Sequence, residues 1–341
     1  MNESFPMTLT KIVICITFWV GYLTNSEADV HRVSSESELY KALVTANHNQ
    51  VRDSIEVTAG VYELDKRLQF TEANTKLVSA SGIANDVILR GKGMRPSATT
   101  EVLLDIAAKN ISVSGITLEA ASHHLIQVRA EADADNFTLT NCVLRDAYQQ
   151  LFKVSATKES DSPHADFGHI SHCLFEYSAG IGPQYYIGGI DAHRIRNWTI
   201  ANNTFKAIAS PAERVAQHAI HIWNNSSNNL VISNTIIDSD RGIGFGMGNS
   251  SNQNTGGKII NNLIVHTAKH HRFADVGIIL ESSPHTEITN NTILMNGRYP
   301  NAIEYRFTST HDVVISGNQV NRRITSRDGG SARLVNNKKL K

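Results

Sequence analysis

Between residues 111 and 320 the apolar positions fall into one short frame that occurs eight times: apolar, two variable residues, a key residue, one variable residue, apolar. The frames are Val113, Ile116, Leu118; Leu139, Cys142, Leu144; Ile170, Cys173, Phe175; Ile200, Asn203, Phe205; Val231, Asn234, Ile236; Ile259, Asn262, Ile264; Ile288, Asn291, Ile293; and Ile315, Asn318, Val320. Successive key residues stand 26, 31, 30, 31, 28, 29 and 27 positions apart. A repeat of this size marks a solenoid in which each unit is one coil. The uneven spacing favours strands, because a parallel β-coil can lengthen its turns without disturbing its paired strands.

Five of the eight key residues are Asn. The key position reads as a bend between two short strands, where Asn tolerates a left-handed backbone. Its amide both donates and accepts, so stacked Asn side chains can bond from coil to coil. Cys142 and Cys173 continue the column and Ile116 begins it. The two cysteines read as small apolar ladder members, with a disulfide between adjacent coils as the alternative.

Each coil carries a further strand upstream of its key residue. Ile126-Gln127-Val128-Arg129, Phe152-Lys153-Val154-Ser155, Gly188-Gly189-Ile190-Asp191, Ile220-His221-Ile222-Trp223, Ile243-Gly244-Phe245-Gly246, Ile278-Ile279-Leu280-Glu281 and Ile303-Glu304-Tyr305-Arg306 are such quartets. Side chains alternate along a strand, so second and fourth residues should face outward and stack. One outer column then reads Gln127, Lys153, Gly189, His221, Gly244, Ile279, Glu304, and the other Arg129, Ser155, Asp191, Trp223, Gly246, Glu281, Arg306.

A solenoid also needs its apolar end covered. Ser35 and Glu38 form a capping-box pattern, and Leu39, Ala42, Leu43 and Ala46 give one apolar helical face, which predicts a cap helix over about residues 35–47. Before it, Lys11 precedes an apolar run over residues 12–23 and small residues around Ser26 and Ala28. That run is too short to span a bilayer and predicts a secretory signal peptide over residues 1–28, with a secreted or periplasmic protein starting near Asp29.

Composition adds limits. Removing residues 1–28 leaves a net charge of +1, so no basic field invites nucleic acid. No later apolar run could span a membrane. Two remaining cysteines make no disulfide framework. No Pro or Gly/Ser linker divides residues 29–341, which are expected to form one domain and a monomer. Residues 156–168, 249–257 and 267–274 read as loops, the last carrying Lys269, His270, His271 and Arg272. The basic end, Lys338-Lys339-Leu340-Lys341, reads as a solvated tail.

Three N-terminal motifs carry a resemblance: Glu38-Leu39 with Ala42-Leu43 and Ala46, then Ile55-Glu56-Val57 with Gly60-Val61-Tyr62, then Asp86-Val87-Ile88-Leu89-Arg90-Gly91. Together with the Asn-bearing coils, they make residues 31–336 similar to the pectate-lyase-like superfamily. The resemblance implies an all-β fold, a single right-handed parallel β-helix with an N-terminal cap helix. That superfamily hosts lyases, epimerases, hydrolases, esterases and non-enzymatic surface proteins, so activity has to come from the site.

Lysine, carboxylate and histidine on one sheet face suit proton transfer. Breaking or epimerising a uronic acid begins by removing the proton beside its carboxylate, which needs a cation, a base and an acid. In this reading Lys153 neutralises the substrate carboxylate, His221 or His193 is the base, and Asp191 orients a histidine. Trp223 stacks on a sugar face, Gly244 and Gly246 leave a hollow, and Glu281 and Arg306 contact substrate or pair with each other. Gly189-Ile190-Asp191-Ala192-His193 partly resembles the Y-G-x-D-P-H motif of mannuronan C5-epimerases; Asp191 and His193 match, Gly188 stands at the Tyr and Ala192 at the Pro.

The expected partner is an acidic polysaccharide, acted on by a lyase or epimerase. The alternatives are a non-catalytic carbohydrate-binding or surface-structural β-helix, and hydrolysis by Asp191, Asp240 and Glu281. No cofactor is required by a motif. Asp238-Ser239-Asp240-Arg241 could offer oxygens to Ca²⁺ but reads better as a turn with an Asp–Arg pair. His164, His169 and His172 fit no tight metal spacing.

Overall fold

The structure, a computed structural model, describes residues 1, 29–95, 100–157, 163–267 and 272–340. The expected signal peptide lies outside the described residues apart from Met1, as do Lys269, His270 and His271. The first described strand, Asp29–Val33, pairs in parallel with Asp53–Val57. Between them lies the cap helix, Glu36–Ala46. Ser35 accepts a hydrogen bond from the Glu38 N–H, and the Glu38 carboxylate returns to the Ser34 N–H at 2.8 Å rather than to Ser35. Leu39, Ala42, Leu43 and Ala46 are buried, as their spacing predicts.

All strand pairing is parallel, between one coil and the next. A twelve-stranded sheet runs from Asp29–Val33 to Ala332–Val335, a ten-stranded sheet from Leu68–Phe70 to Arg323–Arg327, and an eleven-stranded sheet from Gly60–Glu63 to Lys338–Lys339. A fourth sheet has four two-residue strands, Ala165–Asp166, Ile195–Arg196, Ser226–Ser227 and Asn254–Thr255. Two of these strands lie in segments expected to be plain loops, because two residues are too few to show alternation. The basic end differs too: Lys338 and Lys339 pair with Gln319 and Val320 as a last strand, with exposed side chains.

The core is a file of inward side chains, one layer per coil. Phe175 and Phe205 stack with centroids 4.6 Å apart. Trp198 is buried, and its indole N–H donates to the Ala165 carbonyl at 2.7 Å. A Cβ on Gly168 would fall 2.2 Å from that indole, which explains a glycine there.

The Asn ladder is continuous. Asn203 donates its side-chain N–H to Asn234 Oδ1 at 3.0 Å, and the same bond runs from Asn234 to Asn262, Asn262 to Asn291 and Asn291 to Asn318. Asn337 is a sixth member, accepting from Asn318 at 2.9 Å. Each ladder oxygen also accepts the main-chain N–H of the residue before it in the column, so Asn262 Oδ1 binds the Asn234 N–H at 2.9 Å. Upstream, Asn203 Oδ1 accepts from the Cys173 N–H, and Cys173 Sγ lies 3.4 Å from the Cys142 nitrogen. Both thiols are free and buried. The contact with Cys142, then burial, pushes the Cys173 thiol up.

The left-handed residue is one place earlier than expected. Asn202, Ser233, Asn261, Asn290, Gly317 and Asn336 have positive φ, and the ladder residues that follow them do not. The chain turns at the first residue of the bend, and the second then aims its amide inward. Asn262→Leu keeps the branching at Cγ but removes the acceptor and strands buried donors on Asn234. It should cost about 1–3 kcal/mol for each buried group left unpaired. Urea unfolding of wild type and variant measures this, and equal midpoints would mean that the ladder bonds contribute nothing net.

Candidate active site

Three successive strands of the ten-stranded sheet, Gln150–Ser155, Gly188–His193 and His218–Trp223, form the site. Their register pairs Lys153 with Asp191, Asp191 with His221, and His193 with Trp223. The expected columns were therefore misaligned by two residues in the middle coil. A slip of two leaves every side chain on its own face, so alternation cannot detect it. The true register places Asp191 directly between Lys153 and His221.

The Lys153 ammonium binds Asp191 Oδ2 and lies 2.8 Å from His193 Nε2. Trp223 donates its indole N–H to Asp191 Oδ1 at 2.7 Å. On its other side, His193 Nδ1 is 3.0 Å from the Asn224 amide. Burial works against ionisation of Asp191, but Lys153, the His193 hydrogen bond and His221 outweigh it and hold the carboxyl well below the usual range.

His221 points outward yet is only 5% exposed, contrary to the expectation of an open sheet surface. It stacks nearly parallel to Trp223, with centroids 5.5 Å apart, and Nε2 donates to the Gly246 carbonyl at 3.0 Å. Nδ1 is then a buried lone pair, 3.7 Å from Asp191 Oδ1. Burial pushes the His221 pKa below its ordinary 6.5 despite Asp191 and the Gly246 bond. At 3.7 Å the carboxylate makes no hydrogen bond that could hold the ring charged.

The hollow expected over Gly244 is filled. A Cβ there would lie 2.7 Å from the His218 imidazole. Gly246, at φ +78°, would put a Cβ 1.7 Å from the Glu281 carbonyl, so main chain closes that position as well. His218 escapes the alternation rule because the strands bend at their start. A Cβ on Gly189 would meet the core ring of Phe205, so residues two before the outward column face inward, and those three before it face outward again. Gly188, His218 and Arg241 share that earlier column. Burial, followed by His221 and Arg241, lowers the His218 pKa well below its ordinary value.

Two grooves flank the cluster. One, of ≈ 560 Å³, is lined by His193, Trp223, Asn224, Gln253 and neighbours. The other, of ≈ 440 Å³, is lined by Tyr185, Tyr186, Arg214, His218, His221, Arg241, Met247 and Glu281. Arg214 lies over the Tyr185 ring at 4.1 Å. The tyrosines are out of register with any strand and Arg214 lies in a long turn, so neither signals its place in sequence.

The remaining candidates are structural in their contacts. Arg306 pairs with Glu281 at 2.6 Å and with Asp328, while the Glu281 carboxylate also accepts the Gly248 N–H. Asp240 is buried and accepts the Ser210 and Ala216 N–H groups, so it anchors a loop. Arg241 pairs with Asp275 rather than with a neighbour in its own turn. Asp191, Asp240 and Glu281 are thus engaged separately and form no acid–base couple. His164 contacts the Asn225 carbonyl and His169 the Ser171 hydroxyl. His172 is a left-handed turn residue before the ladder.

A family model described as right handed beta helix region matches residues 188–338. No curated protein matches the sequence. Among solved structures, an alginate lyase from Paenibacillus sp. str. FPU-7 has 13% identity and a TM-score of 0.62, over 90% of this chain and 99% of that one. The A-module of the Azotobacter vinelandii mannuronan C-5 epimerase AlgE6 has 11% identity and a TM-score of 0.60, over 90% of each chain. PfbA, a surface adhesin of Streptococcus pneumoniae, has 12% identity and a TM-score of 0.55, over 89% and 85%. With its stacked parallel coils and these likenesses along most of its length, the chain is a right-handed parallel β-helix.

Proposed function

We propose that this chain acts on an acidic polysaccharide outside the cytoplasm, removing the proton beside a uronate carboxylate in lyase- or epimerase-type chemistry. One observation carries the reading: the Lys153 ammonium stands between Asp191 and His193, 2.8 Å from a ring nitrogen, with His193 lining a groove. A cation and a base are adjacent where proton abstraction needs both. An incoming uronate carboxylate draws the Lys153 ammonium to itself. His193 Nε2 is released and takes the C5 proton. Asp191 stays ionised and holds Lys153 and the Trp223 indole in place. His221, with one nitrogen bound to Gly246 and the other buried, positions this group rather than touching substrate. Elimination then forms the C4–C5 double bond and breaks the C4–O glycosidic bond, with the proton held on His193 passing to the departing oxygen, whereas delivery of a solvent proton to C5 from the opposite face gives the epimer.

The alginate lyase and mannuronan epimerase among the structural neighbours support the substrate class, and the adhesin supports the non-catalytic alternative. Export fits the expected signal segment; among the described residues no helix is long and apolar enough to cross a membrane. Activity on polyuronates is read as ultraviolet absorbance of unsaturated ends and as exchange of the C5 proton. His193→Ala should lower the rate by about 10²–10⁴ while melting close to wild type. Full activity in that variant would remove His193 from the chemistry. Binding without turnover by the wild type would favour the carbohydrate-binding alternative.

Stability should also depend on pH. Burial lowers His124 to about 4, and it lowers His218 and His221 as well. Each is neutral when folded and more basic when unfolded, so its contribution is complete above about pH 6.5 and is lost as pH falls toward the folded values. Each fully linked histidine gives a slope of about 1.4 kcal/mol per pH unit. Urea midpoints at pH 7.5 and pH 5 should differ accordingly. Equal midpoints would mean that these rings are solvated.

A further inference from the structure

At the other end of the twelve-stranded sheet's strands from the Asn ladder, the turn that leads into them from the ten-stranded sheet has its own column of left-handed residues. Asn197, Asn228, Gly256, His285 and Asp312 occupy it in successive coils, all at positive φ. Main-chain bonds link them upward, from the Asn228 N–H to Thr255 O, from Gly256 to Pro284 O, and from His285 to His311 O. Earlier in the column, Asn136 donates to Asn110 and Asn110 to Asn74, each at 3.0 Å. Asn and Gly are the expected occupants, since both tolerate this backbone. His285 and Asp312 replace them in adjacent coils, and His311 precedes Asp312.

Among the described residues, His285, His311 and Asp312 are the one trio whose ligand atoms all lie within 4.8 Å of one another. His311 Nδ1 is 2.9 Å and His285 Nδ1 3.8 Å from the same oxygen, Asp312 Oδ2. The first is a hydrogen bond. The second is too long for one, so the His285 nitrogen is aimed at the carboxylate without bonding to it. Ligand atoms around a tetrahedral zinc ion stand about 3.3 Å apart, between these two distances. Small side-chain rotations would equalise them, and all three side chains are exposed enough to rotate.

We propose that His285, His311 and Asp312 bind a divalent late first-row transition metal ion of the zinc type. Two imidazoles and one carboxylate suit such an ion, whereas Ca²⁺ and Mg²⁺ prefer all-oxygen shells. The remaining coordination positions face solvent. Because the ligands come from two coils, the ion clips one coil to the next at the outer turn, on the C-terminal side of the Lys153 cluster. The site is independent of the proposed activity.

Titration of the full-length protein with ZnSO₄ against a chromogenic chelator tests this. The wild type should bind one Zn²⁺ per chain and melt at a higher temperature with zinc than without. His285→Asn and Asp312→Asn, which both tolerate the left-handed backbone, should each weaken binding at least tenfold and show no zinc-dependent rise above their own metal-free melting temperatures. With Co²⁺, the wild type should show a visible absorption band that His285→Asn lacks. No stoichiometric binding by the wild type, or unchanged affinity in a His285→Asn/His311→Ala variant, would overturn the proposal.

Discussion

Every side chain discussed above is placed by the hydrogen bonds that set one coil over the next. In a parallel solenoid a strand has no partner within its own coil, so its position along the axis comes entirely from its neighbours. Main-chain ladders fix the spacing, and the buried Asn amides fix the phase of each bend. A buried amide with an unpaired donor is costly, so coils cannot drift in register without breaking several bonds together. This lets residues far apart in sequence, such as Lys153 and Asp191, meet within hydrogen-bond distance although a long turn separates their strands.

That phase-locking also explains what could be read in advance. The Asn column and the apolar face of the cap helix are local patterns with strong physical signatures. The face on which Lys153, Asp191, His193, His221 and Trp223 lie was legible for the same reason. Their contacts were not. A shift by two residues conserves the face, so the neighbour of Asp191 could not be chosen from alternation alone. His218 was hidden by the bend at the strand start, and the burial of His221 by the His218 and Trp223 rings packed against it. Tyr185, Tyr186 and Arg214 sit in a segment whose path follows no period.

Charge in the cluster is arranged as a small closed system. Asp191 is almost fully buried and would be expensive to ionise alone. Its ammonium partner and the Trp223 N–H supply what water would otherwise give. In the proposed reaction a uronate carboxylate shares the Lys153 ammonium with Asp191 and adds one negative charge at the edge of the groove. The ion pair is therefore better suited to being rearranged than to adding stability.

The ladder also has a direction. In every step from Cys173 through to Asn337 the oxygen of the later coil accepts from the main chain of the earlier one, and from Asn203 onward it accepts from the side-chain amide as well. Each coil is thus completed by the one that follows it. The ladder is therefore polar along the solenoid axis in the way that a filament is polar, although only one molecule is involved: from Cys173 onward each coil holds donors that only the next coil can satisfy.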